Sequence, residues 1–105
     1  MKKVFFIGFA FAFYACGSQA TTEASTEKKE VLSGKEVYSI YCVACHGADG
    51  KLAFSGATDL SKSELDLETR ILQITHGKGV MNAFKNVISP EEIENVALYI
   101  EELRK

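Results

Sequence analysis

Apolar and polar positions fall into blocks along this chain, and the period within each block differs. Residues 4–15 (VFFIGFAFAFYA) form an apolar run behind Lys2 and Lys3, whereas residues 17–30 (GSQATTEASTEKKE) hold no aromatic and no large aliphatic side chain. Beyond them the pattern becomes helical. Ser33 with Glu36 three residues later reads as a capping box, and Val37, Ile40 and Tyr41 with Tyr38 form a stripe leading into Cys42. Residues 47–62 are rich in Gly, Ala, Ser and Asp without a period, which predicts a loop. Residues 65–75 (LDLETRILQIT) place Leu67, Ile71, Leu72 and Ile74 at helical spacings, a helix that Gly77 stops. The last segment begins with Ser89 as N-cap, Pro90 at the first helical position and Glu92 at the third. Ile93, Val96, Ala97, Ile100 and Leu103 then mark one face, and Arg104 and Lys105 suit the negative end of the helix dipole. No strand alternation and no internal repeat stands out. The expectation is an all-α domain of three to four short helices.

The chain has 105 residues, 47% hydrophobic and 25% charged, enough for one small domain. Part of the apolar content is not core. Two lysines followed by a twelve-residue apolar run have the form of an export signal, too short to span a bilayer. The run ends in Phe13, Tyr14, Ala15 and Cys16, followed by Gly17 and Ser18, which resembles the lipobox of bacterial lipoproteins; Phe13 and Tyr14 depart from the Leu and small residue usual there. That resemblance implies diacylglycerol on the Cys16 thiol and cleavage before it, against the alternative of an ordinary secretory signal with a chance cysteine. Three cysteines are an odd number for an exported protein, and lipidating Cys16 leaves the other two as a pair. The expected organisation is a signal peptide over residues 1–15, a lipid-anchored flexible linker over 16–30, and a folded domain over 31–105. Residues 17–30 cannot bury enough apolar surface to offset their ordering entropy. As a flexible tether they would span roughly 20 Å on average and roughly 50 Å when taut. Losing Lys2 and Lys3 takes the formal charge from −2 to −4, which excludes a basic nucleic-acid binder.

The chemistry sits in Cys42-Val43-Ala44-Cys45-His46. A zinc site needs four ligands, and only His76 remains outside this stretch, at a distance that fits no zinc-finger spacing. A thioredoxin-like dithiol needs a strand before the first cysteine, where this chain has a capped helix, and it leaves His46 without a role. The third reading uses every residue. In C-x-x-C-H the two thiols add to the vinyl groups of a haem and the adjacent histidine coordinates the iron. Residues three apart lie on one face of a helical turn, so Cys42 and Cys45 reach neighbouring edges of one ring and His46 is carried beneath it.

Residues 34–105 resemble a small bacterial class I cytochrome c. The family's first helix carries Gly, an aromatic four residues on and the haem motif four later, here Gly34, Tyr38 and Cys42; Tyr99 stands where the last helix packs an aromatic into the notch left by the Gly. Residues 77–84 (GKGVMNAF) resemble the family's G-x-G-x-M-P-x-F loop, which implies Met81 as the second axial ligand, with Asn82 in place of a stiffening Pro. His76, five residues before Met81, is the competing ligand. Residues 56–60 (GATDL) resemble the G-x-x-P-x-L stretch, which implies that the Thr58 backbone carbonyl takes the second ring N–H of His46. Lys51, Lys78, Asn82 and Lys85 are candidate partners for haem propionates.

The resemblance implies a class I cytochrome c fold wrapped around one covalent haem c, and with both axial positions filled a one-electron carrier rather than an enzyme. It implies unnamed redox proteins as donor and acceptor, with no small-molecule substrate. The lipid would hold the domain on the periplasmic side of a bacterial membrane or at the cell surface, raising its effective concentration near membrane partners. Two other readings stay open: a haem peroxidase or gas sensor, if Met81 binds loosely, and a haem subunit of a respiratory complex.

Overall fold

The computed structural model describes Gly8, Gly17 and residues 28–105; the expected signal peptide, Cys16 and most of the expected linker lie outside the described residues. The described chain forms α1 (Gly34–Tyr41), α2 (Val43–His46), α3 (Leu67–His76) and α4 (Pro90–Glu102). No helix among the described residues is long and apolar enough to cross a membrane.

Each long helix starts on a side-chain cap. Ser33 and Glu36 close a reciprocal capping box on α1, and Ser89 and Glu92 close one on α4 with Pro90 at its start. Asp66 caps α3 by accepting from the Thr69 N–H at 2.8 Å, so Leu65 lies before the helix rather than in it. Removing such a cap typically costs about 1 kcal/mol. Residues 47–62 are not wholly irregular, since two 3-10 turns occur at Phe54–Gly56 and Leu60–Lys62. The second is set by Asp59, whose carboxylate accepts from the Ser61 N–H, a local competition for the backbone that period-based reading does not register.

The core forms where α1 and α3 meet α4: Val37, Tyr38, Ile74, Ile88, Ile93, Val96, Ala97 and Ile100 are buried. The expected face of α4 is the face it buries, with Leu103 at its margin. The α1 stripe differs from expectation. Val37 and Tyr38 are buried, but Ile40 is 61% exposed and Tyr41 37%, because α1 meets α4 on one narrow face. Leu67 and Leu72 of α3 are likewise exposed.

Gly34 sets the closeness of that meeting. A Cβ there would collide with the Asn95 carbonyl oxygen and lie 2.8 Å from the Tyr99 Cβ. Tyr99 in turn packs on Tyr38, ring centroids 5.3 Å apart. The segment before α1 is strapped to α4: the Leu32 N–H donates to Glu92 at 3.2 Å and the Asn95 side-chain amide donates to the Leu32 carbonyl at 3.0 Å. Buried Arg70 ties α3 to α4, donating to Ala97 O at 2.9 Å, Leu65 O at 2.8 Å and Glu101 at 2.8 Å.

Candidate metal centre

The turn bearing Cys42, Cys45 and His46 is a direct continuation of α1. The Cys42 N–H donates to Tyr38 O at 3.0 Å, and the Cys42 carbonyl accepts from the N–H groups of Cys45 and His46 at 3.2 and 3.0 Å. Cys42 is half-buried, Cys45 is exposed, and neither is in a disulfide. Burial, with a smaller contribution from the charge of Cys45, pushes the Cys42 thiol up to about 11. A catalytic dithiol requires the opposite, a thiolate stabilised well below the ordinary range. No cluster of three or more His, Cys, Asp or Glu side chains placed to hold a metal occurs among the described residues.

His46 is oriented by its ring. Nδ1 lies 2.9 Å from the Thr58 carbonyl oxygen. A carbonyl can only accept, so Nδ1 carries a proton and Nε2 is the ring nitrogen left to bind a metal. Thr58 enters through its main chain alone, so the absence of Pro at this position leaves the acceptor intact.

Met81 stands on a tight turn closed from both sides: the Lys78 N–H donates to Met81 O at 3.2 Å and the Met81 N–H to Lys78 O at 3.0 Å. Gly77, in the left-handed region at φ +74, makes room for that turn, since a Cβ there would strike the Met81 carbonyl and lie 2.9 Å from Ala83 N. Phe84 and Lys85 then donate to Ile74 O and Thr75 O, at 3.0 and 3.2 Å, so the segment folds back along the end of α3. These bonds stiffen the loop where Asn82 supplies no proline constraint. The sequence gives no local sign of them, because carbonyl pairing across a turn depends on no particular side chain.

The two halves belong to one body. Cys42, Val43 and Met81 all rest against the same buried core, and Tyr41 meets Phe84 edge to face with centroids 6.0 Å apart. His76 is exposed at the end of α3. Lys51, Lys78, Asn82 and Lys85 are also exposed, and none of the three lysines is in an ion pair among the described residues. Apolar side chains close in sequence to the site stay uncovered by protein: Ile40, Leu52, Phe54 and Val80. An imidazole nitrogen left without a protein partner among the described residues, a half-buried thioether, two thiols one helical turn apart and uncovered apolar surface fit a flat, apolar, iron-bearing ring attached through two thioether links.

Comparison with known proteins agrees with this chemistry. Residues 29–100 match the family described as cytochrome c oxidase, cbb3-type, subunit III. A cytochrome c6 of Nostoc sp. is 35% identical, covering 95% of this chain and 92% of its own. Among solved structures, the KustC0563 c-type cytochrome superposes with a TM-score of 0.63 at 28% identity, over 70% of this chain and 100% of its own. Cytochrome c6 from the diatom Phaeodactylum tricornutum superposes with a TM-score of 0.56 at 32% identity, over 68% and 90%.

Proposed function

Because this chain belongs to the small class I c-type cytochromes, which carry one covalently bound haem c, we propose that it is a one-electron carrier with His46 and Met81 as axial ligands. Cys42 and Cys45 provide the thioether links, and the Thr58 carbonyl holds the His46 ring. The observation that carries this reading is the 2.9 Å contact of His46 Nδ1 with Thr58 O, which leaves Nε2 as the available donor. When bound, the haem supplies an iron centre that changes oxidation state by one electron, and a methionine ligand favours the reduced state relative to a second histidine. The chain's own work is then to hold two neutral ligands firmly and to keep solvent and small molecules from the iron. The pair of bonds between Lys78 and Met81 supports the carrier over a peroxidase or sensor, both of which need a sixth position that opens.

The protein expressed with haem-maturation machinery should show, when oxidised, the weak far-red band of a methionine–iron bond, and Met81→Ala should abolish it. A high-spin wild type that shifts with cyanide or carbon monoxide would overturn the His/Met assignment and favour an open iron.

We further propose residues 1–15 as a cleaved signal, Cys16 as the lipidated residue and residues 17–30 as the tether, on the charge and apolar pattern described above. This places the domain outside the cytoplasmic membrane, exchanging electrons with larger redox proteins. Cys16→Ser should abolish incorporation of radiolabelled fatty acid and leave the haem protein with residues 1–15 uncleaved, seen as a larger species on a gel. The match to a family named for an oxidase subunit favours one other placement, a resident of a respiratory complex. Copurification of a stoichiometric membrane complex would establish that placement, and a mature domain that leaves the membrane alone would exclude it.

A further inference from the structure

Tyr38 does more than fill the core. It is 1% exposed and packs on Tyr99, a role that a phenylalanine would fulfil without carrying a hydroxyl into the interior. A buried hydroxyl without a partner is costly, so its partner identifies its use. The Tyr38 hydroxyl donates to the Gly47 carbonyl at 2.6 Å. Gly47 directly follows His46, so the same residue grips both ends of the ligand-bearing turn: the Tyr38 carbonyl accepts from the Cys42 N–H, and the Tyr38 side chain holds the peptide after His46.

Main-chain bonds also hold this stretch: the His46 and Gly47 N–H groups donate back to the Cys42 and Val43 carbonyls at 3.0 and 2.8 Å, and the Leu60 N–H donates to the Gly50 carbonyl at 2.8 Å. The Gly47 carbonyl also accepts from the Gly50 N–H at 3.2 Å, and the His46 carbonyl from the Leu52 N–H at 3.0 Å. Those bonds run along the main chain of the turn and its loop, whereas the Tyr38 hydroxyl makes the side-chain bond among the described residues that reaches from α1 across to this loop. Burial pushes the Tyr38 hydroxyl up to about 12, so it stays a protonated donor at any working pH.

We propose that the Tyr38 hydroxyl is a positioning group for His46, fixing the loop that carries it against α1 through the Gly47 carbonyl. The inference rests on His46 being an iron ligand. With the hydroxyl removed, the Thr58 contact still orients the ring, but the main chain behind it gains freedom, and the imidazole then samples a wider range of angles over the iron.

The test is proton NMR of the ferric, haem-loaded full chain as wild type, Tyr38→Phe and Tyr99→Phe. Tyr99→Phe is the control, because the Tyr99 hydroxyl makes no hydrogen bond among the described residues. In the wild type the His46 ring protons should carry large paramagnetic shifts; their absence would overturn the ligand assignment and this inference with it. In Tyr38→Phe those shifts should change, and exchange of the His46 Nδ1 proton and the Leu52 amide should quicken about fivefold relative to the core amide of Val96, as expected for one lost hydrogen bond. Tyr99→Phe should leave both readouts at wild-type values. Unchanged shifts in Tyr38→Phe, or equal acceleration at Val96, would overturn the inference, the second by showing a general loss of stability. Should Tyr38→Phe fail to mature, the wild type still decides: a Tyr38 hydroxyl proton held at this bond exchanges slowly enough to give a resolved resonance, and rapid exchange there overturns the proposal.

Discussion

Glu92 is a carboxylate with 2% of its surface exposed, and two backbone donors make that placement tolerable. It accepts from the Ser89 N–H at 2.8 Å and from the Leu32 N–H at 3.2 Å, so one side chain both caps α4 and holds the strap before α1. These bonds favour the ionised form, and the bond from Ser89 is the largest cause holding the carboxyl below its ordinary value. A group whose folded value is depressed contributes stability above its unfolded value and loses it as pH falls through the folded value. Glu92→Gln should therefore lower the denaturation midpoint at neutral pH, since the amide can accept one N–H but turns its NH2 toward the other. It should also flatten the decline of stability in acid, and a wild-type-like acid limb in denaturant titrations from pH 7 to pH 3 would contradict this account. The capping half of this role was legible in the Ser89–Glu92 spacing. The strap was not, because Leu32 and Glu92 are sixty residues apart. Arg70 was missed for the same reason, since its partners Ala97 and Glu101 lie on another helix.

Element boundaries followed local chemistry wherever local chemistry decides them. Ser33, Ser89 and Pro90 start their helices as their spacing predicts, and Gly77 ends α3. The faces were less legible. Ile40 and Tyr41 fit the helical period of α1, yet a helix of eight residues presents only about two turns, and which strip is buried depends on how closely α4 approaches. That approach is set by Gly34, whose contact with the Asn95 carbonyl and Tyr99 leaves no room for a methyl group. Gly34→Ala must push α1 away from α4 and loosen Val37 and Tyr38 against Val96 and Ala97. Overpacking of this kind costs about 2 to 3 kcal/mol, more than the helix propensity gained from alanine returns. The denaturant midpoint should fall accordingly, and the yield of covalently attached haem should fall with it, because the C-x-x-C-H turn is the continuation of α1. Wild-type stability in Gly34→Ala would mean that the two helices can re-dock at little cost.

The folded part of the molecule is small and its buried core is thin, eight apolar residues for a domain of about 75. Several large apolar side chains remain outside that core, among them Ile40, Leu52 and Phe54, each more than half exposed. Conformational entropy opposes folding at roughly 1 to 2 kcal/mol per residue, and a core of this size returns little beyond it. A covalently bound haem c would change the balance in two ways: it would offer a broad apolar surface to side chains that otherwise face water, and the thioether links proposed at Cys42 and Cys45 would restrict the unfolded chain's accessible conformations. The α1–α4 and α3–α4 packing described above is therefore expected to depend on the cofactor for its cooperativity. The full chain with Cys42→Ala and Cys45→Ala, produced without haem, should show reduced helical circular dichroism, poorly dispersed amide resonances and no sharp thermal transition. The wild-type holoprotein should melt cooperatively. A double variant that unfolds in one sharp step with native helical content would show that the eight-residue core, its caps and the Arg70 and Glu92 ties suffice by themselves, and that the haem is held by a fold that already exists.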